Sequence, residues 1–130
     1  MLDVQHLTVR LGGRSIVEDV SFAVTQGEWL MLAGPNGAGK STVVGAVSRT
    51  IPYEGAVLLD GTDTKKCKPQ QLARRMAVLT QRHDVGYDFS VEEVVALGRY
   101  AYGRGMLAPK NAEDDAQIER ALTLTGLQAM

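Results

Sequence analysis

The sequence predicts a mixed α/β domain built around one strand–loop–helix unit. Three observations carry that expectation: two alternating apolar runs at the start, a continuous apolar run feeding a glycine-rich loop, and capped helical segments towards the end. Val4, Leu7, Val9 and Leu11 are apolar at mostly two-residue spacing, as in a strand covered on one face, and Gly12-Gly13 turns the chain. Ile16-Val17 and Val20-Ser21-Phe22-Ala23-Val24 form a second such run, closed by Gln26-Gly27, so the pair is expected to be antiparallel. Trp29-Leu30-Met31-Leu32-Ala33 is apolar without alternation and predicts a strand buried on both faces in the middle of a sheet.

Beyond the glycine-rich loop, Ser41–Ser48 predicts a helix with Val43, Val44 and Val47 on one face, ended before Pro52. Ala56–Leu59 predicts a short strand stopped by Asp60-Gly61. Lys65-Lys66-Cys67-Lys68 reads as loop, and Pro69 suits the first turn of a helix reaching about Arg75. Met76–Thr80 predicts a further strand. From about residue 82 the pattern is helical. Ser90 and Glu93 have capping-box spacing, with helix to Leu97 and a stop at Gly98. A loop over 99–111 leads to Asn111, which can cap a helix with Glu113, Asp114 and Asp115 in its first turn and Gly126 as its stop.

With 45% apolar and 22% charged residues among 130, the chain has ordinary globular composition and a one-domain length. A net charge of −1 excludes a generally basic nucleic-acid binder. One cysteine, Cys67, cannot form an internal disulfide, and with His6 and His83 it makes a poor metal set. No apolar run approaches the roughly 18 residues needed to cross a bilayer, and Asp3 with no basic leader argues against a secretory signal. The expected setting is a reducing compartment.

Gly34-Pro35-Asn36-Gly37-Ala38-Gly39-Lys40-Ser41 fits the pattern G-x-x-x-x-G-K-[ST] at every fixed position. By chance that occurs in roughly one of a few hundred chains of this length, and here it also follows an apolar run and opens a helix. Gly37 and Gly39 let the backbone curl with its N–H groups inward, and the new helix turns free amides and a positive dipole end towards an anion. Lys40 supplies a point charge for β- and γ-phosphates, and the Ser41 hydroxyl can ligate magnesium. These residues point to a nucleoside triphosphate site. The competing reading is a glycine turn with an exposed lysine.

With the loop placed, the chain resembles the ATP-binding subunit of an ABC transporter, over essentially all its residues. Gly34–Thr42 matches that family's phosphate-loop wording, Leu59-Asp60-Gly61 resembles the end of its next strand, and Ala77–Gln81 resembles the approach to its glutamine loop. Phe89–Tyr100 is similar to the group importing iron chelates, haem and cobalamin. The resemblance implies an α/β P-loop NTPase with an antiparallel β-subdomain and the start of a helical subdomain: a nucleotide-binding core over 1–81 and helices over 82–130. It implies ATP and Mg²⁺ as cofactors, with Gly34, Pro35, Asn36, Gly37, Ala38, Gly39, Lys40, Ser41 and Thr42 around the phosphates. Ser41 and Gln81 would hold the metal, Lys40 and Gln81 would act in catalysis, and Leu11 and Val17 would lie near adenine. The implied partners are transmembrane permease subunits, a second ATPase subunit and, indirectly, a substrate-binding protein, at the cytoplasmic face of the membrane.

There are two departures from the family. Leu11 stands where an adenine-stacking aromatic is usual. No Leu-Ser-Gly-Gly-Gln signature, no apolar strand ending in Asp-Glu and no later switch histidine occurs; Ala56–Asp60 superficially fits the apolar-run-plus-Asp pattern, but Gly61 stands where the glutamate should be and the run comes straight after the loop helix, so it reads as an edge-region strand. The sequence therefore reads as an amino-terminal half that binds nucleotide with negligible turnover. The inner faces of Leu30, Leu32, Leu58 and Val78 are expected to be incompletely covered, favouring association. Alternative functions are a non-transport ABC ATPase of repair or ribosomes, and a nucleotide-binding module without catalysis. His83 and Cys67 are expected to be ordinary loop residues, Arg74 and Arg75 helix-end cations, and Tyr100 and Tyr102 either packing groups or permease contacts.

Overall fold

The computed structural model describes residues 1–79, 88–103 and 111–128. The chain divides into two compact units, Met1–Leu72 and Ala73–Met130. In the first, β1 (Leu2–Leu11) and β2 (Arg14–Val24) form the expected antiparallel hairpin. β3 (Glu54–Leu59) pairs with the other edge of β1, and the two-residue β4 (Thr62–Asp63) extends the sheet, giving the order β2-β1-β3-β4 with every pairing antiparallel. α1 (Lys40–Val47) packs on the sheet, so that Val4, Leu7, Val9, Val17 and Val57 meet Val43 and Ala46 in one core. Leu7 is fully buried, a contribution of about 1.5–3 kcal/mol for a side chain of its size.

The three-residue step from Val4 to Leu7, odd for a strand, is a bulge. The register shifts there, His6 takes φ 51°, and the extra residue returns Leu7 to the core face. Asp19 on β2 is likewise at φ 50°. The His6 and Asp19 amides donate to the Ser21 and Thr8 hydroxyls at 2.9 and 3.0 Å, and His6 Nδ1 lies 2.7 Å from an Asp19 carboxylate oxygen in solvent. Across the sheet from the bulge, Gly55 has φ 89°, and a Cβ there would overlap the backbone oxygens of both His6 and Gln5. Only glycine lets β3 pass the bulge.

Two expected strands do not form among the described residues. Neither 29–33 nor 76–79 joins a ladder; Trp29 is 99% exposed, Met31 86% and Leu79 91%. A strand apolar on both faces needs a hydrogen-bonding neighbour and a covering layer on each side. The described residues give these segments no neighbour strand. Leu30, Leu32 and Val78 are exposed as expected, whereas Leu58 is half-buried within β3. On α1 the buried stripe is Val43 and Ala46 with Val47 at its edge, and Val44, expected on the same face, is exposed.

Past β4, a 3₁₀ turn over Thr64–Lys66 and the short α2 (Pro69–Ala73) replace the expected loop and longer helix. Arg49, at φ 63° just past α1, donates from Nη1 to the carbonyls of Thr64 and Cys67, and the buried Thr64 hydroxyl meets the Tyr53 hydroxyl at 3.1 Å. Cys67 is thus half-buried rather than a plain exposed loop residue, with its thiol directed at the Asp63 carbonyl.

In the second unit, α3 (Val91–Leu97) opens on the capping box read from the sequence: the Ser90 hydroxyl accepts from the Glu93 amide at 3.2 Å, and the Ser90 amide donates to the Glu93 carboxylate at 2.8 Å. That backbone donor holds the Glu93 carboxyl below its ordinary pKa. Gly98 does not reverse the chain. It stays right-handed at φ −61°, and tight turns continue to Gly103 because the carbonyls of Ala96, Leu97 and Arg99 accept from amides ahead of them. α4 (Ala112–Thr125) is capped by Asn111, whose side chain accepts from the Glu113 amide, and it ends at Gly126 in the left-handed region, with the Leu127 amide on the Leu122 carbonyl.

Candidate phosphate-binding loop

The loop from Gly34 to Gly39 ends as the N-cap of α1. Gly39 has φ 84°, and a Cβ on it would come 3.0 Å from the Ile16 carbonyl oxygen and 3.1 Å from a Val17 methyl. β2 is therefore a wall against which the helix start is seated. Gly37 has the same left-handed φ but nothing within 4 Å of its missing Cβ, so its role is backbone shape rather than close packing.

The Val43 amide is the first to bond within the helix, to the Gly39 carbonyl at 2.9 Å. The Lys40, Ser41 and Thr42 amides precede that bond and have no intrahelical acceptor, no side chain caps the helix, and its first turn carries no acid. Ordinary surface helices supply an Asp, Asn, Ser or Thr here. This one has no side-chain cap among the described residues, and its leading amides and the positive end of its dipole suit an anion. Lys40 reaches back over the loop, with Nζ donating to the Gly34 carbonyl at 2.8 Å and the Pro35 carbonyl at 2.7 Å. The ammonium is thus held beside the curled backbone.

Ser41 is exposed on the first turn of α1. Its hydroxyl is a hard oxygen donor of the kind Mg²⁺ accepts. No group of three or more His, Cys, Asp or Glu side chains able to hold a metal occurs among the described residues. The Ser41 hydroxyl, as a hard oxygen donor, is compatible with magnesium.

The other expected site residues are placed unevenly. Val17 is brought to the loop, against Gly39, but is 6% exposed and part of the core. Leu11 lies at the end of β1 opposite Arg14, half-exposed, beside the hairpin turn. Asp60 sits in the β3–β4 turn with its carboxylate 2.5 Å from the amino terminus of Met1, as suits a strand-end residue of the antiparallel sheet. Gln81 and His83 lie outside the described residues. Ile16 carries no signal in the sequence, because what seats Gly39 is its backbone oxygen, to which side-chain patterns are blind.

A glycine loop that curls over a lysine and empties into an uncapped helix defines the class of P-loop nucleotide-binding domains. Residues 17–130 match the family described as ABC transporter, and the chain belongs to that family. It is similar to the Hemin import ATP-binding protein HmuV of Rhizobium etli, at 44% identity over 98 residues, covering 75% of this chain and 37% of that protein. It is also similar to the Petrobactin import ATP-binding protein YclP of Bacillus subtilis, at 31% identity over 98% of this chain and 50% of that protein. A solved structure described as the ATP binding subunit of an ABC transporter superposes with a TM-score of 0.78 at 27% identity, over 98% of this chain and 51% of the other. The chain spans half or less of the length of these relatives.

Proposed function

We propose that this chain carries the phosphate-holding part of an ATPase subunit that powers import of a haem-, siderophore- or cobalamin-type compound. The uncapped start of α1, closed over by Lys40, is the observation that carries the reading. On it, the Gly34–Thr42 backbone wraps the β- and γ-phosphates, Lys40 exchanges its two loop carbonyls for phosphate oxygens, and the Ser41 hydroxyl holds magnesium. Bound magnesium supplies charge neutralisation at the phosphates. Gln81 takes the family's role of sensing the metal and the attacking water. In the working importer, two such subunits would clamp ATP between them at the cytoplasmic face of a membrane. The import names of the relatives support this reading over repair or ribosomal roles.

A permease partner is supported by the second unit. Glu92 of α3, Asp115, Ile118, Glu119 and Leu122 of α4, and Gln128 line a groove of about 510 Å³. Cytoplasmic segments of membrane proteins are rich in Lys and Arg, and a basic amphipathic helix matches a lining of two aliphatic side chains and three carboxylates. Capture of the permease from detergent-solubilised membranes by the tagged chain tests this. Glu92→Lys, Asp115→Lys and Glu119→Lys are each expected to weaken capture roughly 1.5- to 5-fold at low salt. Capture of ribosomes in place of a permease, or binding indifferent to all three reversals, contradicts it.

A further inference from the structure

β2 is irregular where the phosphate loop is seated on it. Val9 pairs with Val17 and Arg10 with Ser15, so β2 takes two steps where β1 takes one, and Ile16 is the extra residue of a bulge. Its carbonyl oxygen is the one that lies 3.0 Å from where a Cβ on Gly39 would sit. Two residues further back along β2 is Arg14, which the turn at Gly12-Gly13 joins to Leu11. At about 3.3 Å per residue, two residues of strand cover roughly 7 Å. That is comparable to the length of a nucleoside. The hairpin end is thus within a nucleoside's reach of the helix start that suits phosphates.

The side chains at this end differ in what already occupies them. Leu11 and Ile16 are aliphatic and half-exposed. The Arg10 guanidinium faces the Glu54 carboxylate at 3.9 Å, and the Ser15 hydroxyl donates to the Val17 carbonyl at 3.4 Å. Arg14 is exposed, stands directly across from Leu11, and its guanidinium has no hydrogen-bond or ion-pair partner among the described residues. No aromatic ring occurs over 10–16. A free planar guanidinium beside aliphatic carbon is suited to lie flat against the face of a base.

We propose that Arg14 is a specificity-determining residue of the nucleotide site: its guanidinium covers the face of the base beside Leu11, so that the site prefers purine to pyrimidine nucleotides and separates adenine from guanine little. Contact with a π face grows with ring area and is tolerant of the groups on the edge. This rests on the nucleotide-binding reading above and adds to it the group that meets the nucleoside.

Calorimetric titration of the chain with the magnesium complexes of ATP, GTP, CTP and tripolyphosphate tests this, the last carrying the phosphates without a nucleoside. The wild type is expected to bind ATP and GTP within about threefold of each other, and CTP more weakly than either. Arg14→Ala should weaken ATP and GTP by about 2- to 5-fold and leave tripolyphosphate unchanged. Arg14→Lys keeps the charge but loses the plane, and should lose as much as Arg14→Ala. Arg10→Ala removes an equal charge from the same hairpin and should leave ATP affinity within about twofold. Because Arg14 is exposed, its variants remove no core packing. Full ATP affinity in Arg14→Ala or Arg14→Lys, an equal loss of tripolyphosphate, an equal loss in Arg10→Ala, or a wild type that strongly favours ATP over GTP overturns the proposal. A wild type that binds neither ATP nor tripolyphosphate instead overturns the reading on which it rests.

Discussion

Gly55→Ala is expected to cost about 2–5 kcal/mol of stability, the left-handed backbone supplying about 1–2 and the forced overlap with β1 about 1–3 more. The methyl group would have to occupy the space of the His6 and Gln5 backbone oxygens, which no side-chain rotation can clear. Relief requires β3 to part from β1 at the bulge, where Val57 and Leu7 lie in the same core. The midpoint of thermal unfolding should fall by on the order of 10–20 °C. Gly61→Ala is the matched comparison: its φ of 75° is as left-handed, but nothing lies within 4 Å of the added carbon. It should cost only the backbone share, about 1–2 kcal/mol. Equal midpoints for the two variants would show that β3 does not run against the His6 bulge as described.

Lys40→Ala is expected to lower affinity for Mg·ATP by about 10- to 150-fold, the equivalent of losing one charge-assisted hydrogen-bonding group of roughly 1.5–3 kcal/mol. Stability should scarcely change. The bonds that Nζ makes to the Gly34 and Pro35 carbonyls are exposed, and water replaces them when the side chain is removed. That separation distinguishes a ligand-holding lysine from one that merely braces its loop. A variant with wild-type affinity, or one that loses binding because the first unit unfolds, would assign Lys40 the bracing role. Isothermal titration together with a melting curve reads both quantities.

The parts of the fold legible in the sequence are those fixed by local chemistry. The hairpin follows from alternation and a glycine pair, the Ser90–Glu93 box from three-residue spacing, and the Asn111 cap and Gly126 stop from side chains acting on backbone groups within a turn. The candidate loop stands out for the same reason, since its glycines, lysine and serine fall within eight successive residues, 34–41. What is not legible depends on distant partners. The step from Val4 to Leu7 registers only as irregular spacing, and the demand it places on Gly55 arises from a strand about fifty residues away in sequence. Trp29–Ala33 and Met76–Thr80 have the composition of buried strands, but composition cannot supply the ladder partner that makes a strand. Gly98 reads as a stop because glycine so often ends helices in the left-handed region. Here the carbonyls of Val95 and Ala96 continue to accept in right-handed turns, so the chain needs no reversal. Arg74 and Arg99 stand far apart in sequence, and only the fold brings both to the Tyr102 ring.

The most direct test of the central claim is competition. A fluorescent ATP analogue bound to the chain in the presence of Mg²⁺ is displaced with ATP, ADP and AMP in turn. A cradle that grips β- and γ-phosphates through the amides of Lys40–Thr42 and the Lys40 ammonium predicts displacement by ATP and ADP at concentrations at least about tenfold below those needed for AMP, since each charge-assisted hydrogen bond that AMP fails to make is worth roughly 1.5–3 kcal/mol. Equal displacement by all three would place recognition on the nucleoside and contradict the assignment of this loop.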